Sequence, residues 1–296
     1  MKKLFLSAVF SLFSFAMFSQ NVYTFFVNVV NEDWRFPLVG FVNTAIGDHT
    51  GAQVGFVNSN VGSFSGTQIG FLNTTTNDTR GGQIGFVNTV GDSFNGGQVG
   101  FVNTTSADIG GAQLGFMNIA RRLEGLQLGF VNIVDEVVSG VPIGFLSVVR
   151  HGGYRAVELS VSEFHPVNVG FRIGVERFYT TISVAHNPFA DTNSERFATG
   201  FGFGTIVPIN DAFFFNPEVI GLASLGRTSR NLTSFVPFFG YHFCDRFSVT
   251  AAPTVTWSRS PRDTDLLEPV VSIATFEIDD RNEIVIGGRV SVRWRF

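Results

Sequence analysis

Apolar and polar positions follow two different periods along this chain. Over residues 154–296 they alternate with a period of two, and over residues 38–149 one short pattern returns at a fixed step of fifteen. The last segment shows the alternation most clearly. Ile284, Ile286, Gly288, Val290, Val292, Trp294 and Phe296 share one face of an extended strand, and Glu283, Arg289, Ser291, Arg293 and Arg295 share the other. Val167, Val169, Phe171, Ile173 and Val175 repeat the pattern, as do Phe247, Val249, Ala251, Val255 and Trp257. Nine such segments can be marked, separated by tight turns at 176–177, 210–211, 245–246 and 279–280 and by longer polar loops at 187–195, 226–231 and 259–268. Their lengths suit strands crossing a bilayer at a tilt, with the apolar row toward lipid and the charged row toward a lumen. An even strand number is expected of such a barrel, so a tenth could come from 141–149 or 22–30. Otherwise one of the nine is extra, and 232–243, which contains Pro237, is the least regular.

The front half carries an apolar-Gly-Phe-apolar-Asn motif whose glycines are Gly40, Gly55, Gly70, Gly85, Gly100, Gly115, Gly129 and Gly144. Every step is fifteen residues except the fourteen between Gly115 and Gly129. A glutamine stands two residues before most copies, at Gln53, Gln68, Gln83, Gln98, Gln113 and Gln127, while Leu38 and Pro142 hold that position at the two ends. A fixed short period predicts a stacked array in which each unit buries its face on its neighbours. As a β-solenoid, each copy is one coil, the phenylalanines form an aromatic column and the asparagines an amide ladder. Read as one straight strand, residues 53–58 place Gln53 and Asn58 on opposite faces, which leaves the glutamines as an outward ladder and candidate binding surface. The alternative is an antiparallel meander that joins the tail in one larger barrel, but it gives no reason for Gln and Asn to recur in phase.

Composition adds location. Lys2 and Lys3 precede an apolar stretch over residues 4–18, too short for a confident span, which predicts a secretory signal peptide over 1–19. The organisation expected is then a cap segment over 20–37, a repeat array over 38–150 and an antiparallel barrel over 151–296. The fold class is all-β. A single cysteine, Cys244, excludes an internal disulfide, and a net charge of −4 with scattered arginines argues against nucleic acid as a partner. The 35 phenylalanines suit strands with a lipid-facing side. A terminus ending Trp294-Arg295-Phe296 resembles the C-terminal sorting signal of outer-membrane barrels.

Candidate chemistry is sparse. The run from Thr199 to Thr205 alternates Gly with Phe, which suits small lumen-facing and large outward positions better than a phosphate loop, because no helix pattern follows it. His49, His151, His165, His186 and His242 lack the close spacing of a metal motif, and Asp48, Asp78, Asp92 and Asp108 fall where turns need aspartate. No catalytic residue, metal or cofactor is expected.

Units such as Gly82-Gln83-Ile84-Gly85-Phe86-Val87-Asn88, closing in Pro142-Ile143-Gly144-Phe145 before Tyr154-Arg155-Ala156-Val157, resemble a family of bacterial surface-repeat proteins. The resemblance implies an outer-membrane or surface location and supplies no catalytic residues. The expectation is a non-catalytic protein anchored in outer-membrane lipid, presenting a polar repeat surface to an extracellular or periplasmic ligand for binding or adhesion. The alternatives are a channel or transport barrel and, less favoured, a lipid-modifying barrel enzyme.

Overall fold

The structure is a computed structural model, and it describes residues 21–190, 196–225, 230–260 and 269–296. The expected signal segment and parts of the three long loops lie outside the described residues. The chain divides into two compact units, 1–140 and 141–296.

The first unit is a parallel β-solenoid of the expected period. Each copy supplies two strands, as in His49–Val54 and Val57–Asn60, followed by Phe64–Ile69 and Leu72–Thr75. Equivalent residues pair directly: Gln53 with Gln68, Asn58 with Asn73, and so on along the stack. This in-phase pairing excludes the single large barrel. The step of fourteen leaves the pairing intact. Asn103 still meets Asn118, fifteen residues on, whereas Ala112 already pairs with Leu126, so the missing residue comes out of the intervening turn. There Arg121 and Arg122 both reach Asp108, at 3.4 Å.

Two glycine columns allow the coils to stack. A Cβ on Gly70 would lie 2.4 Å from the Gly55 carbonyl oxygen, and one on Gly66, whose φ is +147°, would lie 1.8 Å from that of Gly51. Only glycine fits where one backbone rests on another in this conformation. The segment over 20–37, expected as a cap, contains a coil of its own, because Val27–Val30 pairs in parallel with Val42–Ala45.

The second unit contains a closed antiparallel barrel of eight strands. In chain order they are Tyr154–Val161, Val167–Val175, Phe178–His186, Phe197–Gly204, Phe213–Ser224, Asn231–His242, Phe247–Arg259 and Asn282–Arg295. Closure is direct, with Val157 opposite Trp294 and Leu159 opposite Val292. The count is therefore eight, and no tenth strand is recruited. The irregular Asn231–His242 segment is a full member, with Pro237 opposite Pro217, so that two residues without an N–H face each other. Ala274–Asp279 alternates in sequence but pairs only with the last strand and lies outside the ring, exposed on both faces.

Val141–His151, the degenerate copy, is also outside the ring and lies against the barrel's outer wall. Thr180 Oγ1 donates to the Gly144 carbonyl at 2.8 Å, and the Phe145 ring meets Phe201 edge-on at 5.9 Å. Ile173 and Val175 are buried although their parity points outward, because this segment covers them.

Candidate functional site

Beside the Gly-Phe motif the array's interior is polar, and the corner of the coil explains why. His49–Val54 ends at Gly55 and Phe56, where the chain turns before Val57–Asn60 begins. Gln53 and Asn58 therefore point toward each other into the coil, and the residues between them wrap its outside. All six glutamines expected on the surface, Gln53, Gln68, Gln83, Gln98, Gln113 and Gln127, are fully buried. The outward Gln ladder is thus corrected to an inward one: the straight-strand reading missed the corner, which reverses the parity of everything after it.

Inside, the amides form two ladders of opposite direction. Each asparagine donates forward, as from Asn73 Nδ2 to Asn88 Oδ1 at 2.9 Å and from Asn88 Nδ2 to Asn103 Oδ1 at 2.8 Å. Its second hydrogen goes to a backbone carbonyl at the next corner, Val99 in the case of Asn88, at 3.0 Å. Each glutamine donates backward, as from Gln83 Nε2 to Gln68 Oε1 at 2.6 Å. The carbonyl contacts fix the amide orientations, and the opposed directions cancel much of the two ladders' dipoles. The Gln ladder is unsatisfied only at its ends: Gln53 Nε2 and Gln127 Oε1 have no partner, where Leu38 and Pro142 stand in place of a further glutamine. Asn28 begins the Asn ladder, donating to Asn43 at 2.7 Å. Phe25 replaces glycine in that copy, which hid it from the motif; the Phe26-Val27-Asn28 remnant was the available signal.

What the coil turns outward at this corner is apolar. From Val54 and Phe56 to Leu128 and Phe130 both columns are between 38% and 48% exposed. The phenylalanines stack from Phe41 to Phe130 with centroids 4.9–5.1 Å apart and planes within 11°. The opposite turn is polar, and aspartates recur along it: Asp33, Asp48 and Asp78 each accept a backbone N–H from the next coil.

One interior column carries a titratable group. His49 is buried at the place held by Phe64 and Phe94 in later coils, with Nε2 3.0 Å from the Phe36 carbonyl. Burial lowers its pKa below the ordinary 6.5, and the bond to Phe36 only partly opposes this. Below 6.5 the unfolded chain binds the proton that the folded one refuses, so stability falls as pH drops through that value. The slope is at most about 1.4 kcal/mol per pH unit for one such group, and it ends at the folded-state pKa. In urea melts at successive pH values, His49→Phe is expected to flatten this part of the profile; an unchanged acid slope would remove His49 as its source.

The barrel lumen holds an ion network. Arg172 meets Glu218 through Nε at 2.8 Å and Nη2 at 2.9 Å, and Glu158 at 2.8 Å. Arg293 Nε donates to Glu158 at 2.6 Å and Arg289 Nη2 reaches it at 3.2 Å. Tyr179 donates to Glu218, Arg293 donates to Asn216, and the Phe238 ring lies 4.7 Å from the Arg293 guanidinium carbon. Glu158, Arg172 and Glu218 are at most 1% exposed, and Arg289 and Arg293 are nearly as buried. Eight strands leave an interior just wide enough for side chains, and here paired charges fill it. At the short-turn end a recess of about 440 Å³ opens between Glu176, His242, Arg246 and Arg295. Arg295 is paired there with Glu176 at 2.6 Å.

Outside the ring the apolar row is exposed. Val290 and Val292 are 61% and 50% accessible, Phe201 and Phe203 about half, while the intervening Gly202 and Gly204 point inward. Aromatic residues mark both ends, Phe213, Tyr241 and Trp294 at the short turns and Phe197 and Trp257 at the other. Among the described residues no group of three or more His, Cys, Asp or Glu side chains is placed to hold a metal. Glu158 and Glu218, the carboxylates at the heart of the lumen, face arginines.

These features define a class: a parallel β-solenoid with buried amide ladders, in one chain with a closed eight-stranded barrel whose charge lies inside and whose apolar row lies outside. No protein-family model, curated protein or solved structure matches the chain.

Proposed function

We propose that this chain is a non-catalytic repeat protein of the outer membrane, in which the barrel is the anchor and the solenoid the binding part. The observation that carries this reading is the barrel's inversion relative to a soluble protein. Its exposed outer row is Val, Ile, Phe and Trp, aromatic at both ends, and its arginines and glutamates are paired within. A water-filled surface would not repay that arrangement, whereas a bilayer does. The export signal expected over 1–19 and the resemblance to surface-repeat proteins support the same reading.

The chain enters the barrel at Tyr154, opposite Gly174, which is the end of the tight turns at 176–177 and 245–246. In outer-membrane barrels short turns face the periplasm, so by this reading the chain enters the ring, at Tyr154, on the periplasmic side. The repeat surface offered for binding is the apolar corner, since the glutamines are inside. The filled lumen weighs against the channel alternative. Purified protein in planar bilayers is expected to give no reproducible ion steps, while the protein fractionates with the outer membrane. Uniform conductance steps, or recovery in the soluble periplasm, would overturn the proposal.

A further inference from the structure

The apolar corner of the solenoid is a continuous strip. Over the six copies from Val54 to Phe130, its sequence from the residue before the glycine to the residue after the phenylalanine contains no charged or polar side chain. The columns run about 24 Å, five steps at the roughly 4.8 Å spacing of stacked strands. On the opposite turn lie Asp48, Asp78 and Asp92, all exposed. The solenoid is therefore amphipathic across its width, apolar at one edge and charged at the other, where aspartates predominate although Arg80 is exposed beside them and Arg121 and Arg122 pair with Asp108. Monomeric soluble proteins rarely leave apolar patches of this extent uncovered.

The chemistry of the strip selects its occupant. Sugar rings pack on aromatic faces, but here each phenylalanine face is taken by the next ring at about 5.0 Å, and only ring edges and aliphatic branches point outward. Hydrocarbon accepts such a surface without directional demands. The eighth phenylalanine of the motif, Phe145, gives a second and independent indication. Within the barrel unit it packs on Phe201, a member of the outward apolar row, and both rings stay at least 40% exposed on the same surface. The residue that continues the repeat's aromatic phase thus belongs to the barrel's lipid-type surface. The acidic edge, opposite, is where an anionic headgroup layer would be least favourable.

We infer that the Val/Ile-Gly-Phe edge of the solenoid is a lipid-docking edge that seats the array in a bilayer surface. This rests on the reading of the barrel as a bilayer anchor. It works as an interfacial amphipathic helix does, burying one apolar face at the boundary between headgroups and chains while the charged face remains in water. The difference is rigidity, because a stacked solenoid presents its edge without having to fold on contact.

Three single-cysteine variants of the full chain test it in a Cys244→Ser background: Phe86→Cys on the strip, Asp92→Cys on the acidic edge, and Val290→Cys on the barrel wall. Each carries a polarity-sensitive fluorophore and is reconstituted into phosphatidylcholine–phosphatidylglycerol vesicles, with and without acyl-chain quenchers. The expected result is blue-shifted, chain-quenched emission from positions 86 and 290 and water-like, unquenched emission from position 92. Quenching at 290 with water-like emission at 86 would overturn the docking edge and leave the anchor standing. Failure at 290 would overturn the anchor itself. Blue-shifted emission at 86 that chain quenchers do not touch, with disulfide-linked dimers formed by the unlabelled Phe86→Cys protein under mild oxidation, would mean that the strip binds a second copy, which also overturns the proposal.

Discussion

Replacing Glu218 by alanine is expected to destabilise the barrel by about 3–5 kcal/mol, the cost of leaving a buried ion network without one of its partners. Glu218 accepts two hydrogen bonds from Arg172 and one from Tyr179, and lies 3.4 Å from Arg293. Without it Glu158 alone faces Arg172, Arg289 and Arg293, in a lumen where none of them reaches bulk water. The direct Coulomb energy of such pairs is less decisive than the desolvation that removal leaves uncompensated. Glu218→Gln keeps the size and one acceptor, so its loss is expected to be smaller. Adding Arg172→Met to Glu218→Gln should recover part of it, since charge is then removed from both sides. Urea unfolding in detergent or vesicles, read by the mobility difference between folded and unfolded barrel on gels, measures all three. A Glu218→Ala barrel as stable as the parent would show that the network does not hold the lumen.

The second large effect lies in the array. Gly66→Ala is expected to cost more than about 3 kcal/mol, because it adds the strain of a positive φ to a clash with backbone that cannot move aside. The new Cβ would stand 1.8 Å from the Gly51 carbonyl oxygen, itself part of the stack. Gly97→Ala provides the matched control. Its added Cβ meets nothing within 4 Å, and its φ is not in the left-handed region. That substitution is expected to be neutral, or to stabilise by about 0.4–1 kcal/mol through the entropy of the unfolded chain. Two glycine-to-alanine changes in one array should therefore move its melting temperature in different directions, or one strongly and one hardly. Because neighbouring coils are coupled, the Gly66 lesion should also weaken the coils on either side. Equal effects at the two sites would mean that the backbone contact does not govern stacking.

Much of this architecture can be read from the chain, and the parts that cannot have definite causes. The recurrence of Gln and Asn at one phase points to parallel stacking, because only in-register coils bring like residues together, and Phe56 does stack on Phe71. The faces of the coil cannot be read the same way. Period-two reasoning assumes a straight strand, and the turn at Gly55 and Phe56 puts Gln53 and Asn58 on the same, inner side. A corner of that kind leaves no mark on the alternation, so straight-strand reasoning turns the glutamines outward where the structure turns out Val54 and Phe56 instead. Strand number shows a related difficulty. Ala274–Asp279 has a strand's pattern, and only its pairing with the half of the last strand that extends past the first strand, Tyr154–Val161, excludes it. The lumen network was legible as a set of inward charges on the final strand, but not as pairs. Arg172 and Glu218 are 46 residues apart, and nothing local connects them.

The repeat and the tail thus solve opposite problems. The solenoid buries amides that satisfy one another and exposes a narrow apolar edge, whereas the barrel buries charges that neutralise one another and exposes an apolar belt. Both arrangements make sense at a membrane, and the anchor is the claim on which the rest depends. Tryptophan fluorescence tests it most directly. In a Trp34→Phe variant the remaining indoles are Trp257 and Trp294, about half exposed at opposite ends of the barrel's outer face. Refolded into vesicles of brominated lipids, both are expected to be quenched, most strongly by bromines placed near the headgroups, because each belongs to one of the two aromatic ends of the belt. Emission from both that is indifferent to lipid bromine and readily quenched by aqueous iodide would contradict a barrel that lives in a bilayer.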